Sequence, residues 1–274
     1  CGTEEGLLLV DAGGAARRAA APLPSEQVSA LLADARSRIW VGTRAGAVRL
    51  DPAAGTVELG PSDGLPDVRV VSFLDGAAGA VWMGGDGSGL HRFTPSCFSF
   101  VGPEAGLREL LPLRIAEAPD GAIWVTTARG EIARLSEGRF DVFDTRHGLL
   151  RVDRFRDLAI TRGGRLDATW AGGLVRREAE GAPFRAYPAP AGVAVTGLAL
   201  SDDEPWLGTT SGLLAFRDGA FVAPVAPPLG RAPVDAIAPD PAGGVLFAAR
   251  GAVHELDTAT GRVRLVGTTT ALLR

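Results

Sequence analysis

The chain has 274 residues, 46% of them hydrophobic, and a formal net charge of -4. That charge supplies no basic field for nucleic acid, and no run of about 18 apolar residues is present to span a membrane. The 37 glycines and 19 prolines interrupt nearly every helical pattern, so short strands and turns are expected.

The first stretch, Cys1 to Asp11, overlays almost position by position on Val41 to Asp51, which is the first sign of a repeat. The full motif stands at Arg38-Ile39-Trp40-Val41-Gly42-Thr43, followed by Gly46-Ala47-Val48-Arg49-Leu50-Asp51. It returns around Trp82, Trp124 and Trp206, and in weaker form around Asp167 and Leu246, which replace the Trp. These six anchors recur with a period of about 40 residues, which signals a repeat architecture. A second marker runs in phase: Gly64, Gly106, Gly148, Gly192 and Gly230 follow the first five anchors at a nearly constant interval.

Each period divides into four stretches of strand length bounded by Gly, Pro and Asp, such as 70–74, 80–83, 89–93 and 98–101. Four antiparallel strands in about 40 residues make a propeller blade. The Trp then fills the wedge between blades, and burying it removes roughly 200 Å² from water, on the order of 5 kcal/mol gross. The expected fold is an all-β, seven-bladed propeller in one domain spanning 1–274, with one blade incomplete or composite at the chain ends. A half blade at 1–28 holds third and fourth strands only. Complete blades follow at about 29–67, 68–110, 111–154, 155–194, 195–233 and 234–267, and 268–274 starts a closing segment. Segment 15–21 favours helix on propensity, and 106–118 mimics one, but Pro22, Pro24, Pro112 and the repeat phase overrule both. Cys1 and Cys97 form no framework, so the redox compartment is not readable from them. Cys1 is either a lipid-bearing N-terminus or a truncation point, and the overlay on Val41 favours truncation of a longer chain.

Asp-Gly-Leu-Pro at 63–66, a first strand ending near Asp34 or Asp240, the Gly-x-Ile-Trp-Val-Gly-Thr type of second strand and Gly-x-x-Arg-x-Asp together resemble the two-component regulator propeller repeat. The resemblance runs through essentially the whole chain, strongest around Trp40, Trp82 and Trp206. It implies a periplasmic or extracytoplasmic sensor propeller of a histidine kinase, hybrid regulator or diguanylate cyclase, with polysaccharide fragments a frequent ligand class. Any phosphorelay output would sit in a downstream signalling domain outside these residues, and the resemblance allows a homodimer of the parent protein.

Ligand contacts are expected on the loops between second and third strands and between blades. The first class offers Arg44, Arg129, Trp170 and Arg250; the second is densest at Asp144 to Asp157, with Arg146, His147, Arg151, Arg154 and Phe155. Arginine forks can hold carboxylates or sugar hydroxyls, and Phe155 can stack on a ring. The competing reading is a solvated, self-paired surface loop. Trp170 stands where the motif has Thr, either as a sugar platform or as a core residue compensating for Asp167. His91, His147 and His254 fall in three different repeats without metal-ligand spacing, and no nucleophile-elbow motif is present. No catalytic residue, metal or cofactor is therefore assigned. The leading expectation is a noncatalytic sensor binding a small molecule or oligosaccharide. A propeller lyase or glycoside hydrolase and a protein-binding scaffold are the alternatives.

Overall fold

The computed structural model describes residues 2–10, 16–51, 55–66, 68–94, 97–108, 111–223, 231–240 and 242–268. Cys1, Asp67, the Cys97 side chain, Gly230 and 269–274 lie outside them, so the expected closing segment is not described. Short apolar runs ended by glycine turns pair in chain order, and the result is seven antiparallel sheets, the seven-bladed β-propeller expected from the repeat. The chain divides into two compact units, 1–143 and 144–274.

The first unit holds four blades. Blade 1 is a three-stranded sheet of Gly2–Thr3, Gly6–Val10 and Ala16–Arg18. The sequence predicts only two strands here; the overlay of Gly2-Thr3 on Gly42-Thr43 explains the third, which is the end of a second strand. Blade 2 comprises Val28–Ala33, Ile39–Thr43, Gly46–Asp51 and Gly55–Leu59; blade 3, Val70–Asp75, Val81–Gly85, Gly89–Thr94 and Cys97–Val101; blade 4, Pro112–Glu117, Ile123–Thr127, Ile132–Ser136 and Arg139–Phe143. The second unit holds blade 5, Asp157–Ile160, Leu166–Trp170, Gly173–Arg177 and Arg185–Pro188. Blade 6 is Val195–Ser201, Glu204–Thr209, Gly212–Arg217 and Ala220–Val222, and blade 7 is Val234–Pro239, Val245–Ala249, Ala252–Leu256 and Val263–Thr268. Among the described residues no helix is long and apolar enough to cross a membrane.

The anchor Trp does fill the wedge. Trp40 of blade 2 is fully buried and packs with Val70, Val81, Met83 and Phe93 of blade 3, its ring edge-on to Phe93 at 5.0 Å. Trp82 joins Ile123, Val125 and Phe140 of blade 4 in the same way, and Trp206 joins Val234, Val245 and Phe247 of blade 7. The Asp at the end of the first strand explains itself here. Asp34 Oδ2 accepts from Trp40 Nε1 at 2.8 Å and from Arg38 Nε at 2.6 Å, while Oδ1 accepts the Arg36 and Arg38 amides. Arg49, directly across the ladder from Trp40, lays its guanidinium 5.8 Å from the Trp40 ring, and Arg92 sits 5.6 Å from Trp82.

Blade 5 solves the same packing problem without a Trp. Asp167 is fully buried and bonded by Arg176 Nε at 2.7 Å and by Arg165 Nε at 3.2 Å. Arg176, at the ladder position of Arg49, extends its guanidinium to 4.8 Å from the Phe216 ring of blade 6. Phe216 holds the place in its strand that Phe93 holds in blade 3. The guanidinium plane, neutralised by Asp167, is the flat group that the neighbouring aromatic receives.

Smaller ties repeat with the blades. Thr43, Thr209 and Thr3 each donate a hydroxyl to the carbonyl three residues on, at 2.9, 2.6 and 2.8 Å, and accept the amide two residues on, locking the turn after the second strand. A bulge interrupts the first strand, and the bulged Ser29 and Thr196 donate to the next blade's Val70 and Val234 carbonyls at 2.5 and 2.7 Å. At three of its positions the second sequence marker is a clasp: Gly64, Gly106 and Gly148 have φ of 82°, 104° and 86° and close a short turn on the next outer strand. A Cβ there would fall 2.9 to 3.4 Å from the carbonyls of Phe98, Phe140 and Phe184, whereas one at Gly192 would meet nothing within 4 Å. Leu65, Leu107 and Leu149, one residue on, are buried.

Two measurements check this account. Burial alone would push the Asp34 carboxyl up, but the bonds from Trp40, Arg38 and the Arg36 amide outweigh it and hold it below the usual carboxylate range. A depressed carboxylate stabilises the fold fully above its unfolded value near pH 4, and that contribution disappears as pH falls through the folded value. Asp34→Asn is expected to cost about 1–3 kcal/mol at pH 7 in urea unfolding and to flatten the acid limb of stability below about pH 4. Asp167→Ala, which strands Arg176, should cost about 3–5 kcal/mol, whereas Asp167→Leu combined with Arg176→Met should recover most of that loss.

Candidate functional site

The segment from Asp144 to Asp157 enters blade 5, and its local chemistry separates it into two parts. In the first, Asp144 accepts the Arg146 amide at 2.9 Å and the Arg146 guanidinium at 2.9 and 3.1 Å, and the Asp144 amide donates to His147 Nδ1 at 3.2 Å. The Arg146 bonds hold the Asp144 carboxyl well below its ordinary range. Arg146 and His147, both expected as ligand contacts, thus close the short turn at Thr145–His147. Asp63 does the same for Gly60 at 3.1 Å and Glu104 for Gly102 at 3.1 Å.

The second part is an irregular loop strung between two apolar pins. Leu149 is 3% exposed and Phe155 is 1% exposed, so Arg151 to Arg154 are held out from the core between them. This corrects the expectation for Phe155, whose ring is in the core and offers no stacking face. The ladder shows why: Phe155 takes the position of Val70, Val195 and Val234, all buried at the start of a first strand. Alignment of the repeats on that position would have found it.

Arg151, Val152, Asp153, Arg154 and Arg156 line a recess of about 400 Å³ together with Trp170 and Ala171. Trp170 ends the second strand of blade 5, across the ladder from Gly173. Its indole lies over the Gly172-Gly173 pair, where an added Cβ would come within 2.7 Å of Nε1 and 2.8 Å of Cη2. The hairpin beneath is held by Ala189 N to Gly172 O at 2.7 Å and Val195 N to Ala171 O at 2.8 Å. The ring is half-buried, which leaves one part to packing and one part to the recess. The guanidiniums of Arg151, Arg154 and Arg156 form no ion pair or hydrogen bond among the described residues.

The other expected residues do not join them. Arg44 lines a separate recess of about 190 Å³ in the first unit with Glu4, Gln27, Val28, Ser29 and Arg69, and bonds Gln27 Oε1 at 3.4 Å. Arg129 sits in the turn governed by Thr127, its amide 3.4 Å from the hydroxyl. Arg250 is exposed on a blade 7 turn with φ of 53°. His91 and His254 are buried, 2% and 7% exposed. His91 Nε2 lies 2.9 Å from Ser88 Oγ, but its Nδ1 has no hydrogen-bond partner among the described residues, and no carboxylate among them orients the pair as a triad requires. Burial pushes the His91 imidazole below its ordinary value, with the Ser88 contact opposing. Among the described residues no group of three or more His, Cys, Asp or Glu is placed to hold a metal ion.

Comparison with known proteins agrees with this architecture. Virginiamycin B lyase from Staphylococcus aureus superimposes with a TM-score of 0.69 at 16% identity, over 87% of this chain and 83% of that one. The extracellular domain of a protein described as a hybrid two component system from B. thetaiotaomicron gives a TM-score of 0.69 at 17% identity, over 87% of this chain. This chain spans 34% of that domain. A third similar structure is YCF48 from Cyanidioschyzon merolae, at a TM-score of 0.66 and 14% identity over 89% of this chain and 86% of that one. At these identities the likeness is one of fold. Among curated proteins none matches the sequence. Residues 22–45, which span the Asp34–Trp40 bond and the Thr43 turn, match the family described as two component regulator propeller. The chain therefore carries the two component regulator propeller repeat within a seven-bladed β-propeller.

Proposed function

We propose that the chain is a noncatalytic, ligand-binding sensor propeller, the extracytoplasmic input part of a two-component-type signalling protein, and that its ligand is an oligosaccharide held in the recess of blade 5. The observation that carries the reading is the convergence on a recess of about 400 Å³ of one half-buried Trp and arginines that have no partner among the described residues. A cavity of that size suits a small ligand, and guanidinium forks and an indole face are groups that recognise sugar oxygens and ring faces. The extracellular two-component domain among the similar structures supports the same assignment.

An enzymatic reading draws on the lyase among the similar structures, of which a catalytically inactive His-to-Ala variant is described. In this chain His91 and His254 are buried and His147 is engaged by Asp144, which favours the sensor. A thermal-shift screen against oligosaccharides, with product analysis of every hit, separates the two. A ligand at 100 times its Kd adds about 2.7 kcal/mol to the folded state, which should raise Tm by on the order of 5 °C or more. Stabilisation without turnover is the expected result; turnover would replace the sensor with an enzyme, and a silent panel would favour a protein-binding scaffold.

Trp170→Thr restores the turn-locking hydroxyl found at Thr43 and Thr209. Urea unfolding should show stability unchanged or raised by up to ~1 kcal/mol, while ligand affinity falls at least tenfold. A loss of several kcal/mol would instead make Trp170 a core residue.

A further inference from the structure

Blade 5 departs from blades 2 and 6 at two positions that have structural work in those blades. The bulge of the first strand carries Ser29 in blade 2 and Thr196 in blade 6, whose hydroxyls tie neighbouring blades through the Val70 and Val234 carbonyls. In blade 5 that position is Arg156, whose guanidinium makes no such bond. The end of the second strand carries the turn-locking Thr in blades 1, 2 and 6, and here it is Trp170. Both departures border the same recess.

Charge completes the case. Outside the recess several arginines meet acids: Arg38 with Asp34, Arg176 with Asp167, Arg217 with Glu204 and Arg264 with Glu255. The recess gathers Arg151, Arg154 and Arg156 against the single carboxylate of Asp153, three positive charges less one, a net of two. On a chain whose formal charge is -4, this is a local inversion of sign. Three like charges in one recess repel one another, and an anion removes that penalty while accepting charge-assisted, two-pronged bonds.

We infer that the recess takes an acidic oligosaccharide carrying at least two negative groups, carboxylate or sulfate, with one sugar ring laid on Trp170. This rests on the ligand-binding reading above and narrows it to a charge class. A neutral sugar would leave the arginines uncompensated, so discrimination arises from charge before shape.

Calorimetric titration of the whole chain tests the inference with three probes of one size: digalacturonate, a disulfated disaccharide and neutral digalactose. The acidic probes should bind at least about tenfold tighter than the neutral one, and their affinity should fall several-fold between low and high salt. Arg154→Gln and Arg156→Gln should each weaken the acidic probes about five- to tenfold and the neutral probe by a smaller factor. Arg139→Gln, on an exposed outer strand of blade 4, should change nothing, and urea midpoints should confirm that each variant folds. Retention of the carboxylate probe but not the sulfate one, or the reverse, assigns the anion. Equal affinity for digalactose overturns the charge preference and leaves the sensor proposal standing. Acidic binding indifferent to both substitutions overturns the site, and the absence of binding by every probe overturns the inference and the oligosaccharide reading together.

Discussion

Two twisted sheets that meet edge-in leave a wedge between their faces, and every other feature of these blades depends on filling it. Trp40 fills it with an indole seated against Phe93, held in orientation by Asp34 and covered by Arg49. Blade 5 fills it with a guanidinium against Phe216, held in orientation by Asp167. The receiving surface is the same in both, an aromatic on the third strand of the next blade. What the fold demands is therefore a flat group of suitable thickness with its polar edge satisfied, and residue identity is secondary. A buried pair of this kind is costly to desolvate, so it persists only because Asp167 collects both Arg165 and Arg176.

The fold was legible because its causes recur. The Trp that returns with each strong repeat and the Gly that follows it at a nearly constant interval are two separate contacts, the wedge and the clasp. The candidate recess was legible in part. Arg151, Arg154 and Trp170 do meet at one recess, whereas Arg44, Arg129 and Arg250 stand elsewhere. Phe155 was misread because a phenylalanine among arginines looks like a stacking platform until the ladder places it on a buried valine position. Arg146 and His147 also meet Asp144 within three residues, a local cap whose geometry no composition argument contains. Which arginines are paired is a matter of register: Asp167 and Arg176 are well separated in sequence and directly opposed across a ladder.

In blade 5 the residues that hold the fold and those that line the recess are different. Leu149 and Phe155 bear the packing, the backbone bonds of Gly172 and Ala171 bear the hairpin, and the side chains between Leu149 and Phe155 are left largely to solvent. Substitutions at Arg151, Arg154 or Trp170 then change the recess without touching the wedge beneath. The same separation is absent in blade 2, where Ser29 and Thr43 are engaged in ties of the fold.

Ties between neighbouring blades reach roughly one repeat along the chain: Ala35 N to Asp75 at 2.9 Å, Ala77 N to Glu117 at 2.9 Å, Arg162 N to Asp203 at 3.1 Å. Within a blade the strands are a meander of adjacent hairpins. Each newly formed sheet therefore finds its docking surface in the sheet just before it, which keeps loop-closure entropy small at every step. Such a chain can assemble in order of synthesis, each blade waiting for only one repeat more.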